Sequence, residues 1–122
     1  MKRVLIFLFF LLAAVAFHSC ESEEKFDETL LYGKWKPEQG TSLHFRYDSN
    51  GEGVTWNPDV DQEEDEGQKF RWSLVRSELE QRHHIEIIDA DIIIEIYTIT
   101  GLTATSLRYR NSFRRYVFTK FE

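Results

Sequence analysis

Histidines and carboxylates are the side chains of this sequence that could bind a metal or act as an acid or base. His83 and His84 are adjacent, and His44 lies on a different predicted strand. Neighbouring residues of a regular strand point to opposite faces, so His83 and His84 cannot chelate one ion together. We interpret them as ordinary strand residues, one of which faces solvent, and we predict no metal site.

The densest cluster of carboxylates lies in the irregular segment 58–68, where residues 59–66 include six acidic side chains. Their spacing begins like that of a calcium loop, but Glu64 stands where that loop needs glycine and Phe70 where it needs the bidentate glutamate. We predict a mobile, solvated loop with only weak attraction for cations. If the loop docks instead, the expected surface is the arginine cluster Arg108, Arg110, Arg114 and Arg115.

Catalysis would require a nucleophile beside a base, or paired carboxylates, converging on one pocket. The sequence has no Gly-x-Ser-x-Gly motif, no glycine-rich phosphate loop and one cysteine. We therefore predict that the protein is not an enzyme, has no catalytic residues and needs no cofactor.

Cys20, the only cysteine, follows Met1-Lys2-Arg3 and an uninterrupted apolar run over residues 4–17. A run of this length is shorter than the roughly 20 residues that cross a bilayer as a helix, and it is typical of the apolar region of a secretory signal. No internal disulfide can form with a single cysteine. A spare thiol or a link between chains is the alternative use of Cys20.

The end of the apolar run, Ala16-Phe17-His18-Ser19-Cys20, resembles the lipobox of bacterial lipoproteins, in which a small residue precedes the lipid-modified cysteine. Phe17 and His18 depart from the commonest form of the motif, and in this respect the sequence is similar to the looser boxes of Bacteroidetes lipoproteins. The resemblance implies cleavage after Ser19, lipidation of Cys20 and an address in the bacterial cell envelope. It favours the outer membrane, at its periplasmic face or at the cell surface.

Three segments follow from this interpretation: a signal peptide over residues 1–19, a lipidated acidic tether over 20–29 and a single domain over 30–122. The tether also resembles the acidic export signal of surface-exposed Bacteroidetes lipoproteins. Removal of the signal peptide leaves 103 residues, and the loss of two basic residues changes the net charge from −6 to −8. An acidic domain of this kind argues against nucleic acid as a partner, because phosphate binding depends on clustered lysine and arginine.

Apolar and polar residues alternate with a period of two from Leu30 onward, which indicates half-buried strands rather than helices. The alternating segments are 43–47, 70–74, 83–88, 92–99, 105–109 and 116–118. Turn-forming residues separate them, with Asp48-Ser49-Asn50-Gly51 as the clearest tight turn. The pattern predicts seven or eight short antiparallel strands that form either a sandwich or a closed up-and-down barrel.

A resemblance to a known family favours the barrel. Gly33-Lys34-Trp35 resembles the Gly-x-Trp signature of lipocalins, in which the tryptophan closes one end of the barrel. The sequence resembles small lipocalin-like lipoproteins of Bacteroidetes in the order of five features. They are this motif, an Asp-x-x-Gly turn, Phe70-Arg71-Trp72, Tyr97-x-Ile99-x-x-Leu102 and an arginine-rich last hairpin. The resemblance implies an all-β antiparallel meander closing into a small lipocalin-like barrel, with ligand binding by analogy only.

Aromatic residues make up 15% of the chain, and those on the inward face either line a cavity or fill the barrel. The candidate ligand-binding residues are Phe45, Trp72, Glu95, Tyr97, Tyr109 and Tyr116. Alternation breaks around Glu95, so its face is undecided: an inward Glu95 would contact a ligand, and an outward one would be a surface charge. We favour a filled core with at most a shallow pocket at the end opposite Trp35. The partner is then either a small apolar ligand or another envelope protein.

Overall fold

Eight antiparallel strands form in the computed structural model, which describes residues 24–122, and they confirm the predicted all-β fold. The strands are β1 (Gly33–Gln39), β2 (His44–Tyr47), β3 (Glu52–Trp56), β4 (Gln68–Val75), β5 (Glu78–Ile85), β6 (Ala90–Leu102), β7 (Ser106–Arg110) and β8 (Arg115–Lys120). No helix among these residues is long and apolar enough to cross a membrane.

The strands form a closed barrel in which each strand pairs with the next and β1 pairs with β8. This is the predicted up-and-down meander. The predicted tight turn joins β2 to β3, where Gly51 adopts a φ of 83° that an L side chain rarely adopts. Strand β6, with 13 residues, is the longest, and only its second half pairs with β7, from Thr98 opposite Arg110 to Leu102 opposite Leu107.

The inward side chains fill the middle of the barrel with aromatic rings. Phe45 contacts Phe70 and Phe118 with ring centroids 5.9 and 5.5 Å apart, and Tyr47 contacts Phe70 at 5.5 Å. Alternation explains the arrangement, because alternate residues of each strand face the interior. The fully buried side chains include Trp35, Tyr47, Leu79, Leu107, Tyr109 and Phe118.

One end of the barrel is closed by the 3₁₀ turn Glu28–Leu31, which precedes β1. Trp35 lies at this end, as predicted; it is fully buried and its indole Nε1 donates to the Leu31 carbonyl at 2.9 Å. The Lys120 ammonium lies 4.9 Å from the centre of the indole ring and donates to the carbonyls of Leu30 and Tyr32. We call this the closed end.

The last residues of the predicted tether also pack at the closed end. Phe26 is half-buried against the core, and its backbone N–H donates to the Arg76 carbonyl at 3.3 Å. The Asp27 carboxylate caps the 3₁₀ turn by accepting from the Thr29 backbone at 3.0 Å. The signal peptide and Cys20 lie outside the described residues.

The acidic segment between β3 and β4 is largely exposed, as predicted for a solvated loop, but part of it docks on the barrel. It forms two 3₁₀ turns, Pro58–Val60 and Glu64–Glu66. The Glu64 carboxylate lies 3.0 Å from the Lys34 ammonium and 2.9 Å from the Arg46 guanidinium. Lys34 and Arg46 are paired on β1 and β2, so the loop docks on the outer face of these strands and not on the arginines of the last hairpin.

Candidate functional site

The opposite end of the barrel, which we call the open end, is bordered by the connections 40–43, 57–67, 86–89 and 111–114. A pocket of about 220 Å³ lies there. It brings together five of the six predicted ligand residues, namely Phe45, Glu95, Tyr97, Tyr109 and Tyr116. Its position opposite Trp35 is the one we expected for a shallow pocket.

Trp72, the sixth predicted residue, lies elsewhere. Its ring contacts Tyr32 and Tyr47, with centroids 6.1 and 5.7 Å apart, and its indole Nε1 donates to the Glu52 carbonyl at 2.9 Å. Tyr32 follows the 3₁₀ turn of the closed end. Trp72 is therefore a core residue of the closed half, and the structure does not bring it to the pocket.

Glu95 belongs to the inward face of β6. It pairs with Gln81 of β5, which is fully buried inside the barrel, and alternate residues of the two strands share that face. The side chain of Glu95 keeps 45% of its surface exposed because it lies at the rim of the open end. The Tyr97 hydroxyl donates a hydrogen bond to its carboxylate. The pocket thus contains a hydrogen-bonded carboxylate that remains accessible.

Beside Glu95, a chain of polar side chains enters the core. His83 Nε2 lies 2.9 Å from Gln81 Oε1, and Gln81 Nε2 donates to the Tyr47 hydroxyl at 2.8 Å. The other ring nitrogen, His83 Nδ1, lies 3.2 Å from Gln68 Oε1. Both neighbours are amide oxygens and a neutral imidazole has one N–H, so His83 donates to only one of them.

Burial holds the pKa of His83 below its ordinary value, although the Glu95 carboxylate, 3.9 Å from His83 Nε2, acts in the opposite direction. The imidazole is consequently neutral at pH 7, because desolvation penalises the charged form. Burial and the adjacent Glu95 carboxylate raise the pKa of Tyr97, so its hydroxyl remains a donor. His83 therefore brings no positive charge to the side chain of Glu95.

Three tyrosine rings lie beneath the pocket. The centroids of Tyr97 and Tyr109 are 4.4 Å apart, and Tyr116 lies 5.4 Å from Tyr97 and 5.2 Å from Tyr109. Tyr109 is only 1% exposed, whereas Tyr116 is half-buried. The three rings pack on one another and fill the barrel below the pocket. A ligand can therefore contact only the surface of this ring cluster that faces the open end.

Arg114 contributes a positive charge to the rim. Its Nη1 donates to the Gly40 carbonyl at 3.0 Å, which joins the β7–β8 hairpin to the β1–β2 connection. Gly40 has a φ of 95°, and a Cβ added there would lie 2.4 Å from the Arg115 carbonyl oxygen. Only glycine permits this close approach of the backbone at residue 40 to the Arg115 carbonyl. The packing of the β1–β2 connection against the β7–β8 hairpin therefore requires glycine at residue 40.

The histidines considered for metal binding lie apart from one another. His83 faces the interior, His84 lies 3.2 Å from Asp89, and His44 packs its ring against Trp56 with centroids 5.5 Å apart. Across residues 24–122, no group of three or more His, Cys, Asp or Glu side chains is placed to hold a metal ion.

The sequence did not predict four residues of the pocket and of the polar chain beside it. They are Gln68, Gln81, His83 and Arg114.

A closed meander of eight strands with a buried Gly-x-Trp tryptophan at one end is a lipocalin-like barrel. Two solved structures share this fold: a lipocalin-like protein from Bacteroides uniformis, with a TM-score of 0.59 and 17% identity, and an uncharacterized protein from Bacteroides eggerthii, with a TM-score of 0.57 and 16% identity. Each likeness covers 75% of this chain and 99% of the other. At this identity the likeness confirms the lipocalin-like fold alone.

No protein-family model matches the sequence. No curated protein sequence matches it either.

Proposed function

We propose that this protein is a lipid-anchored lipoprotein of the bacterial cell envelope whose lipocalin-like domain binds a small molecule at the open end. The observation that carries the binding proposal is the accessible, hydrogen-bonded carboxylate of Glu95 above a floor of tyrosine rings. Apolar surface with a few polar groups is the usual composition of a ligand site. The anchor is the lipid on Cys20, supported by the lipobox-like sequence before it.

The size of the pocket limits the ligand. Its volume of about 220 Å³ is below the roughly 300–1,000 Å³ of typical ligand pockets. A long acyl chain would need the interior of the barrel, which the aromatic rings occupy. The ligand is therefore compact, with an apolar part over the tyrosine rings.

Charge defines the polar part of the ligand. Glu95 favours a hydrogen-bond donor or a positive group, and charge-assisted hydrogen bonds are about twice as strong as neutral ones. Arg114 lines the same pocket and favours an acceptor or a negative group. A small molecule that carries both an amino group and an acidic or carbonyl oxygen would match the two charges.

We propose binding rather than catalysis because the geometry gives His83 no free ring nitrogen. A general base must be within hydrogen-bond reach of the proton it removes. Both ring nitrogens of His83 lie against glutamine side-chain oxygens, 2.9 and 3.2 Å away, although the ring borders the pocket.

Native mass spectrometry of the full chain purified from its own host's envelope tests the binding proposal. We expect a retained small molecule, and we expect Glu95→Gln to lose it while the fold remains. The matched control is Glu80→Gln, because Glu80 lies on the outer face of β5. A wild-type chain that retains nothing, or a molecule retained equally by Glu95→Gln, would contradict the proposal.

Cys20→Ala tests the anchor separately. Each buried acyl CH₂ contributes about 0.8 kcal/mol, so two or more chains hold a protein stably on a membrane. We expect the wild-type chain in the membrane fraction after a high-salt wash and the variant in the soluble fraction. A variant that still sediments with membranes would show that another feature anchors the chain.

A partner-binding accessory lipoprotein is the second candidate, and exposed apolar side chains favour it. Ile87 and Phe113, at the tips of two connections of the open end, are 96% and 90% exposed. On β6, Ile94 and Ile96 are each 51% exposed. Ile94 and Ile96 lie two residues apart and so share one face of β6, and exposed apolar patches are typical of interaction sites.

A further inference from the structure

The last hairpin carries a second concave surface, on the outer face of the barrel wall. It is a groove of about 340 Å³ over β7 and β8, with Thr100 of β6 at one side and Gln39 of β1 at the other. Three exposed arginines line it, namely Arg108 and Arg110 of β7 and Arg115 of β8. We call it the arginine groove.

Strand register brings the three arginine side chains together. Arg110 lies directly opposite Arg115, and side chains in such a pair have Cβ atoms about 4.5–5.5 Å apart. Arg108 is two residues from Arg110 on the same face of β7, about 7 Å away. On β6, Gly101 lies opposite Arg108, and a Cβ added to Gly101 would lie 3.7 Å from Arg108 Cδ. Arg108 therefore extends over a position without a side chain, which leaves space above the strands.

No carboxylate neutralises these arginines in the part of the chain that the structure describes. None of the ion pairs within residues 24–122 includes Arg108, Arg110 or Arg115. The other residues opposite them on β6 and β8 are uncharged: Thr98, Gly101 and Val117.

The acidic residues on the neighbouring strands do not change this. Glu78 of β5 is two strands away from Arg110, or about 10 Å. The Glu38 carboxylate of β1 lies 4.0 Å from the Lys36 ammonium, its partner in an ion pair. The three arginines thus form a local positive surface on a chain whose net charge is −6.

This arrangement is unfavourable for folding alone. Like charges directly opposite each other on a sheet are destabilising, and Arg110 and Arg115 are such a pair. The acidic loop between β3 and β4 could have neutralised them, but its Glu64 pairs with Lys34 and Arg46 instead. Residues that break a local rule of stability without compensation are typical of functional sites.

We propose that the arginine groove binds the phosphate group of a small phosphate monoester. A guanidinium presents its donors in a fixed fork that matches the oxygens of a phosphate. A monoester carries about two negative charges near pH 7 and three strong acceptor oxygens. One phosphate group can therefore accept hydrogen bonds from all three arginines and relieve their repulsion.

Charge and size favour this class of ligand over related ones. A phosphodiester, such as the phosphate of a phospholipid, carries one negative charge, and a single carboxylate carries one charge on two oxygens, so each neutralises only one of the three arginines. The groove volume of about 340 Å³ is near the lower end of the roughly 300–1,000 Å³ of ligand sites, which suits a compact molecule. The proposal depends neither on the lipid anchor nor on the pocket at the open end.

Isothermal titration calorimetry of the full-length chain in a non-ionic detergent, with glycerol 3-phosphate as the probe, tests the site. We expect saturable binding that weakens as salt is added, because salt screens exposed charges. Arg110→Gln should weaken it about tenfold or more, because a hydrogen bond between charged groups is lost. The matched control is Lys69→Gln, which removes the same charge from an exposed position of β4, across the barrel from β8, and should bind like wild type.

Thermal unfolding separates loss of the site from loss of the fold. Without the probe, Arg110→Gln should unfold at the wild-type midpoint or above it, because its repulsion with Arg115 is removed. Saturating glycerol 3-phosphate should raise the midpoint of wild type and of Lys69→Gln but not that of Arg110→Gln. Arg115→Gln removes the other member of the pair and should behave like Arg110→Gln.

This pattern supports the proposal, and four results overturn it. The first is no saturable binding by wild type, and the second is equal weakening by Arg110→Gln and Lys69→Gln, since net charge would then control binding. The third is a lower midpoint of Arg110→Gln without the probe, which would show that the arginine pair stabilises the fold. The fourth is equal affinity for succinate or for the diester glycerophosphoglycerol, which would remove the preference for a monoester.

Discussion

The two ends of the barrel are built from the same strands but differ in how their side chains are satisfied. At the closed end, Trp35 and Leu31 are fully buried and the polar atoms of the indole and of Lys120 bond to backbone carbonyls. At the open end, Glu95 and Tyr116 keep part of their surface exposed beside a pocket. The closed end is therefore fully packed, whereas the proposed binding surface lies at the open end.

Replacing Trp35 should have the largest effect on stability. Trp35→Ala removes a fully buried ring and its hydrogen bond to Leu31, so we expect a loss of about 3–5 kcal/mol in the free energy of unfolding. Urea unfolding measures it. The matched control is Phe113→Ala at the open end, which should change stability by about 0.5 kcal/mol or less because Phe113 is 90% exposed. Equal effects of the two variants would remove the distinction between the ends.

The tyrosines beneath the pocket locate the boundary between the filled core and the open end. Tyr109→Ala should cost about 3 kcal/mol, because it opens a void at a site that is 1% exposed and removes a packed ring. Tyr116→Ala should cost about 1–2 kcal/mol, because Tyr116 is half-buried. Chemical denaturation compares them. A mild effect of Tyr109→Ala would mean that the space around this ring is already open.

The docked acidic loop predicts a smaller effect. Glu64→Gln should lower the free energy of unfolding by about 1 kcal/mol or less, because its ion pairs with Lys34 and Arg46 are partly exposed. Glu63→Gln is the control, since Glu63 is exposed. Burial raises the pKa of Glu64, but hydrogen bonds from Lys34 and Arg46 outweigh it and lower that pKa. This contribution is therefore present at neutral pH and lost as the pH falls below the ordinary glutamate range. A Glu64→Gln effect indistinguishable from that of Glu63→Gln would contradict docking through Glu64.

The buried imidazole should give the smallest effect, visible as a pH dependence. Because the folded pKa of His83 lies below its unfolded value of 6.5, the unfolded chain binds the proton more readily. Stability from this group is complete above that value and declines as the pH falls below it. His83→Gln should flatten this part of the curve of unfolding free energy against pH, whereas His84→Gln should not. The same slope in wild type and His83→Gln would show that another group is responsible.

Much of the fold was predictable because alternation and turn residues act locally. The period of two in segments such as 43–47 and 70–74 marks β2 and β4, and the turn at Gly51 marks the hairpin before β3. The closing of the barrel and the position of Trp35 followed from the resemblance in Gly33-Lys34-Trp35. The strands and the turn depend on residues that are close together in the sequence, whereas the closing of the barrel pairs β1 with β8, far apart in the sequence.

The face of Glu95 was not predictable, for a physical reason. The isoleucines around it occupy both faces of β6, because the first half of this strand extends beyond β7 and neither face is fully covered. Alternation carries no signal where both faces have the same environment. Pairing with Gln81, which places Glu95 inward, is a contact between strands that periodicity within one strand does not reveal.

The docking of the acidic loop was missed because it depends on charges distant in sequence. Glu64 meets Arg46, 18 residues away, only after β1 and β2 have paired. Counting the carboxylates of residues 59–66 indicated mutual repulsion and gave no information on these cations. The polar chain through His83 and Gln81 was likewise hidden, because these residues occupy strand positions in phase with the apolar Leu79.

Tryptophan fluorescence during titration with a long-chain fatty acid tests the central claim, a filled barrel with a small pocket at one end, most directly. Trp35 and Trp72 lie inside the barrel in its closed half, where an acyl chain threading the interior would have to reach them. We predict no saturable change in fluorescence at micromolar fatty acid, because aromatic rings occupy the interior. Saturable quenching at these concentrations would show that the barrel opens to a long apolar ligand and would contradict the account.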